Sequence, residues 1–94
     1  MIVIRDLYPQ APAHFLVIPK RHLTGLDEAF PETGNREVTL IGQLLERGTL
    51  VAREHGLLPN GFRSVLNTGR GAGQSVFHLH LHIIGGADLN GGFA

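Results

Sequence analysis

The segment Phe77-His78-Leu79-His80-Leu81-His82-Ile83-Ile84 places three imidazoles at alternate positions in an apolar run. In an extended strand successive side chains point to opposite faces. His78, His80 and His82 are therefore expected on one face, and Phe77, Leu79, Leu81 and Ile83 on the other, packed into a core. Next-but-one residues of a strand stand about 6.6 Å apart, so the three rings form a row and not a cage. A metal ion needs about three protein ligands converging at roughly 2.0–2.1 Å, and a straight row does not supply them. Two of these histidines joined by His14 from a neighbouring strand would, so that option stays open. A row suits chemistry at phosphorus better, because one imidazole can attack while its neighbours donate to the phosphate oxygens or the leaving group. The middle ring, His80, is the natural nucleophile.

Other residues with chemical potential gather near this row in sequence or by topology. Thr68-Gly69-Arg70-Gly71-Ala72-Gly73-Gln74-Ser75 can expose consecutive backbone N–H groups to an anion, since glycine permits the concave conformations that form such nests. The same stretch also reads plainly as a mobile connection. Ser75 precedes His78 by three residues, and Asn67 ends the preceding apolar segment, where its amide can reach the site or simply close a turn. Asp6 is the acid nearest the first turn; a carboxylate there can accept both hydroxyls of a ribose or cap the turn. His14 opens an apolar strand and faces either the site or solvent. His22 and His55 carry less weight.

The elements that must hold these groups follow from pattern. Met1 to Ile4 is predicted as a strand, Asp6 to Pro12 as a turn-rich break, and His14 to Ile18 as a second strand closed by Pro19. Lys20 to Asn35 keeps no period and reads as loop, with a short helical turn near Asp27. From Glu37 to His55, Val38, Ile41, Leu44, Leu45, Val51 and Ala52 recur at helical spacing. Asn35 is the expected N-cap, Glu37 suits the positive end of the helix dipole, Arg53 and His55 the negative end, and Gly56 the stop. Phe62 to Asn67 is a third strand, joined by the glycine-rich loop to the histidine strand. Two hairpins with a helix between them imply an α+β domain over residues 1–94: an antiparallel sheet with one main helix on the face that carries Phe77, Leu79, Leu81 and Ile83.

Composition limits the partners. Eight basic and eight acidic residues balance in 94 residues and no basic run occurs, so no broad electrostatic footprint for nucleic acid or an anionic membrane is expected. Cysteine is absent, which removes disulfides and thiolate metal sites. With no long apolar stretch or signal-peptide pattern, a cytoplasmic setting is expected. A chain this short builds a marginal core unless it oligomerises.

His78-Leu79-His80-Leu81-His82-Ile83-Ile84 resembles the His-x-His-x-His-apolar-apolar signature of the histidine-triad (HIT) nucleotide-binding proteins. Asp6 to His22 and Gly73 to His78 resemble the Hint branch, the purine nucleoside phosphoramidases. The resemblance implies that His80 attacks the α-phosphorus of an adenosine or guanosine 5′-phosphoramidate and is transiently nucleotidylated before water releases AMP or GMP, with no metal or cofactor. It implies that Asp6 holds the ribose, with Leu7 against the base, and that Asn67, Gly73, Gln74 and Ser75 hold the phosphate side and leaving group. It gives the phosphate to His82, the orientation of the nucleophile to the His78 carbonyl, and support of the site to His14. It further implies a homodimer through the Glu37 to His55 helix. Measured against that resemblance, the helix and first strand that usually precede this segment in the branch are expected to be missing here, and the tail Asp88 to Ala94 carries no tryptophan-proline ending. A zinc- or nucleotide-binding module without turnover, and a dinucleoside polyphosphate hydrolase, are the alternative expectations.

Overall fold

The computed structural model describes residues 1–90, so residues 91–94 of the glycine-rich tail lie outside the described residues. Its elements are β1 (Ile2–Arg5), β2 (Ala13–Ile18), α1 (Leu26–Ala29), α2 (Val38–Glu54), β3 (Phe62–Val65) and β4 (Leu81–Gly85), with one 3-10 turn at Arg70–Ala72. The four strands form an antiparallel sheet in the order β1-β2-β4-β3. This is the α+β architecture that two hairpins separated by a helix require.

Register decides which side chains share a face, because residues directly opposite in an antiparallel pair point the same way. β2 pairs Phe15 with Ile83 and Val17 with Leu81, and β1 adds Val3 opposite Val17. These residues face α2, whose Leu44, Gly48, Val51 and Ala52 are buried against them. The helix comes closest at Gly48, where an added Cβ would meet Leu81 Cδ2 at 2.7 Å and Ile83 Cδ1 at 2.8 Å. Glycine is required there for close approach. The opposite face carries Ile2, Ile4, Leu16, Ile18, His14, His82 and Ile84, and it is the face left open for chemistry.

Several boundaries differ from expectation for identifiable reasons. The histidine strand begins only at Leu81, so of the triad only His82 lies on the ladder. β2 ends at Ile18 because Pro19 has no N–H to offer the next rung. Leu79 and Leu81 remain buried as the alternation requires, whereas Phe77, expected in the core, is 49% exposed. α2 starts at Val38 with Glu37, not Asn35, at its N-cap and without a side-chain cap bond. Val38 and Leu45, expected on the buried stripe, are exposed, and Leu40 and Gly48 pack inward in their place. At the other end Gly56 adopts φ +71°, the left-handed stop that a glycine supplies. α1 forms at the turn expected near Asp27, with Glu28 Oε1 accepting the Thr24 N–H at 2.8 Å. β3 ends at Val65, leaving Asn67 in the loop.

Candidate active site

The hydrogen bonds of the four site histidines fix where each ring carries its proton. His80 Nδ1 lies 2.7 Å from the His78 carbonyl oxygen. A carbonyl can only accept, so Nδ1 carries hydrogen and Nε2 of His80 is left as a lone pair. His78 Nε2 donates to the Pro19 carbonyl at 2.9 Å by the same reasoning. The buried His14 accepts the Gln10 backbone N–H at Nδ1, 3.0 Å away, so its own hydrogen is on Nε2. That Nε2 sits 2.9 Å from His82 Nδ1 and 3.3 Å from Asp6 Oδ2. His82 Nδ1 therefore accepts, and its hydrogen is on Nε2. The outcome is a lone pair beside a donor: His80 offers Nε2 unprotonated and His82 an N–H, with ring centroids 5.0 Å apart.

Burial holds the pKa of His82 below the usual imidazole value, the neighbouring His80 and His14 push the same way, and Asp6 partly offsets them. His82 thus stays neutral where a free histidine would charge. At this ring the native state binds fewer protons than the unfolded chain once pH falls below about 6.5, the ordinary value, so the contribution of His82 to stability drops as pH falls through that point toward the lowered one. Thermal melts from pH 7.5 to 5 are expected to show this decline, and replacing His82 with asparagine to flatten it. A melting temperature as steep in pH for the variant as for the native chain would refute the assignment.

Two cavities flank the row. One of about 370 Å³ is lined by Asp6, Tyr8, Gln10, His14, Val65, Asn67, His82 and Ile84. The other, about 320 Å³, is walled by Ile4, Leu16, Ile18 and Val76 with His78 and His80, and is almost wholly apolar. Four of the residues singled out in the sequence (Asp6, His14, Asn67 and His82) meet in the first, and His78 and His80 in the second. Leu7 is 87% exposed and lines neither, and Gly73 and Ser75 are exposed on the loop without lining either cavity.

The loop itself is held from inside. Gly69 and Gly73, at φ +83° and +86°, bracket the 3-10 turn, and Asn67 Nδ2 donates to the Ala72 carbonyl at 2.9 Å. Gln74, expected to bind the phosphate side, is 4% exposed. Its Oε1 accepts the Gly69 N–H at 2.7 Å, and its Nε2 donates to the carbonyls of Thr24 at 2.6 Å and Val76 at 3.1 Å. Both amide hydrogens are committed to backbone, so the side chain shapes the loop and does not reach outward. Tyr8 and Gln10 line the first cavity and Ile4, Leu16, Ile18 and Val76 wall the second without having been singled out by residue type or spacing. Ile4, Leu16 and Ile18 were accessible to the period-two pattern of their strands; the roles of the Gln10 N–H and Pro19 carbonyl leave no side-chain signal.

Among the described residues, the one group of three metal-ligating types close together is Asp6, His14 and His82, with donor atoms within 4.8 Å of one another. His80 is not part of it. The Gln10 N–H occupies Nδ1 of His14, so Nε2 points a hydrogen, not a lone pair, into the cluster. A cation could bind there only by breaking that bond. As built, these residues fit a hydrogen-bonded relay and do not fit a metal.

Comparison with known proteins places this geometry among similar chains. The HIT domain family model matches residues 1–89. An uncharacterized HIT-like protein of Chlamydia muridarum is 44% identical over 88 residues, covering 94% of this chain and 66% of that one. Adenylylsulfatase HINT1 of Arabidopsis thaliana is 44% identical over 92 residues, and the chain spans 59% of its length. The solved HIT family hydrolase from Legionella pneumophila superposes with a TM-score of 0.84 at 36% identity, covering 94% of this chain and 75% of that structure.

Proposed function

The chain belongs to the HIT family, and from that premise we propose that it is a nucleotide-binding hydrolase that cleaves the P–N bond of purine nucleoside 5′-phosphoramidates through a nucleotidyl-histidine intermediate. The observation that supports this reading is the tautomer of His80: the His78 carbonyl at 2.7 Å takes the Nδ1 hydrogen and leaves Nε2 free to attack.

In the first step the Nε2 lone pair of His80 forms a bond to the α-phosphorus while the P–N bond breaks, and the leaving nitrogen takes one proton from solvent and departs as the amine. The positive charge that grows on the imidazole is stabilised by the Nδ1–H bond to the His78 carbonyl. The Nε2–H of His82 donates to a non-bridging phosphate oxygen, and the relay from Gln10 N–H through His14 keeps that hydrogen where it is useful. In the second step water attacks the phosphorus and gives up one proton to solvent, which replaces the one taken by the amine, while the N–P bonding pair returns to His80 Nε2 and AMP or GMP leaves. Asp6 receives the ribose hydroxyls: its Oδ1 accepts the Tyr8 N–H at 2.8 Å and its Oδ2 faces His14, which holds the carboxylate in place with lone pairs to spare. Leu7 lies against the base, and Asn67, Gly73 and Ser75 border the phosphate and leaving group, with Gln74 acting behind the loop. The scheme uses no metal or cofactor.

The Legionella relative is a HIT family hydrolase and the Arabidopsis relative an adenylylsulfatase, which supports hydrolysis here and, from the second, hydrolysis at an adenylyl group. Incubation with adenosine 5′-phosphoramidate, following AMP release and trapping the adenylylated protein by rapid acid quench and mass spectrometry, tests the reading. Absence of both turnover and adduct would remove it. Val38, Leu45 and Leu50 are exposed on α2, which fits a homodimer packed through this helix. Sedimentation at micromolar concentration is expected to give twice the 10.2 kDa chain mass, and a monomer alone would contradict it. No helix among the described residues is long and apolar enough to cross a membrane; a cytoplasmic setting is part of the proposal.

A further inference from the structure

The nucleophile sits outside the sheet. The β2–β4 ladder ends at the pair Val17 and Leu81, and the β3–β4 ladder at Val65 and His82, so no strand partner fixes residues 74–80. Their conformation still has to be specified, because a displacement of about 1 Å at a reacting atom can cost up to about a hundredfold in rate.

What holds this stretch is the segment that follows β2. Gln74 Nε2 donates to the Thr24 carbonyl at 2.6 Å, the Leu79 N–H to the Leu23 carbonyl at 2.6 Å, and His78 Nε2 to the Pro19 carbonyl at 2.9 Å. The fourth bond runs the other way: His22 Nε2 donates to the Phe77 carbonyl at 3.2 Å. The His22 ring also stands edge-on to that of His78, centroids 4.7 Å apart and planes at 89°. An ion pair between Arg21 and Glu37 ties the same segment to the start of α2.

We propose that His22 is a positioning residue for the nucleophilic step, acting through the Phe77 carbonyl and the His78 ring to hold the backbone that aims His80 Nε2 at phosphorus. The Phe77 carbonyl belongs to the peptide unit that enters His78. Fixing it limits rotation of that unit, while Pro19 fixes the far end of the His78 side chain. The residue whose own carbonyl orients His80 is thereby clamped on two sides. His22 lines neither cavity and is exposed, so it touches no substrate and its replacement opens no hole in the core.

The inference rests on the phosphoramidase reading for its kinetic arm only. His22→Phe keeps a ring against His78 and removes the N–H; His22→Gln restores a donor without the ring. His22→Phe is expected to lower kcat about tenfold while the Kd for AMP stays within about twofold, and His22→Gln to recover most of the loss. The melting temperature should not move. Independently of turnover, the low-field proton NMR signal of the His80 Nδ1–H should broaden through faster exchange in His22→Phe and sharpen again in His22→Gln. An unchanged kcat with an unchanged NMR signal, or a loss confined to AMP binding, overturns the role given to His22. A native chain that turns over no phosphoramidate overturns the proposed function instead, and the NMR comparison still decides whether His22 holds His80.

Discussion

His80→Gly is expected to reduce turnover of adenosine 5′-phosphoramidate by about 10^4-fold or more, because removing a nucleophile removes the covalent route and leaves only the binding and electrostatic contributions. The affinity for AMP should change little, since the phosphate keeps His82 and the ribose keeps Asp6. Glycine leaves a gap the size of the ring beside the apolar cavity of Ile4, Leu16 and Ile18. Imidazole added at millimolar concentration is therefore expected to enter and restore part of the rate, transferring the nucleotidyl group through free nucleotidyl-imidazole. Rescue of this kind separates a lost nucleophile from a damaged fold, which no diffusible ring could repair. A His80→Gly protein with a tenth or more of native activity, or with an adduct trapped on another side chain, would end the assignment of His80 as nucleophile.

The sequence revealed most where physics acts through side-chain type and spacing. Alternation placed Leu79, Leu81 and Ile83 in the core and the three histidines opposite them, and this survives although the ladder reaches only Leu81. Helical spacing located α2, and Gly56 ended it, because a left-handed residue after a helix has few alternatives. The misses share a different cause. The start of β4 depends on what β2 offers, and Pro19 removes the rung that would have extended the pairing; a property of one strand set the length of another. Gly48 faces the sheet for lack of a side chain, which a hydrophobic pattern cannot register. The tautomers of His14 and His80 depend on the backbone N–H of Gln10 and the backbone carbonyl of His78, groups that every residue but proline carries. Such partners appear only when the chain is folded.

Gln74 is the sharpest case of a residue found in the sequence for one reason and used in the structure for another, and its replacement should show it. Gln74→Leu keeps the approximate size but strands the Gly69 N–H and the Thr24 and Val76 carbonyls in a site where Gln74 is 4% exposed. Leaving a buried polar group unpaired costs about 1–3 kcal/mol. Partial access of water to the exposed loop should limit the total to about 3 kcal/mol. For a domain of this size that corresponds to a fall in melting temperature of roughly 12–24 °C. The loop bordering the histidine row would relax from its two left-handed glycines, and kcat should drop about a hundredfold even well below the new melting point. Gln74→Glu separates the two halves of the amide: it keeps an acceptor for Gly69 but turns a charged oxygen toward two carbonyls, so it should be at least as harmful as leucine. If instead Gln74 acted mainly by touching phosphate, Gln74→Leu would weaken AMP binding and leave the melting temperature nearly untouched. Calorimetric melts and AMP titrations on the same preparations distinguish the two outcomes, because an internal brace and a ligand contact move these two quantities in opposite proportion.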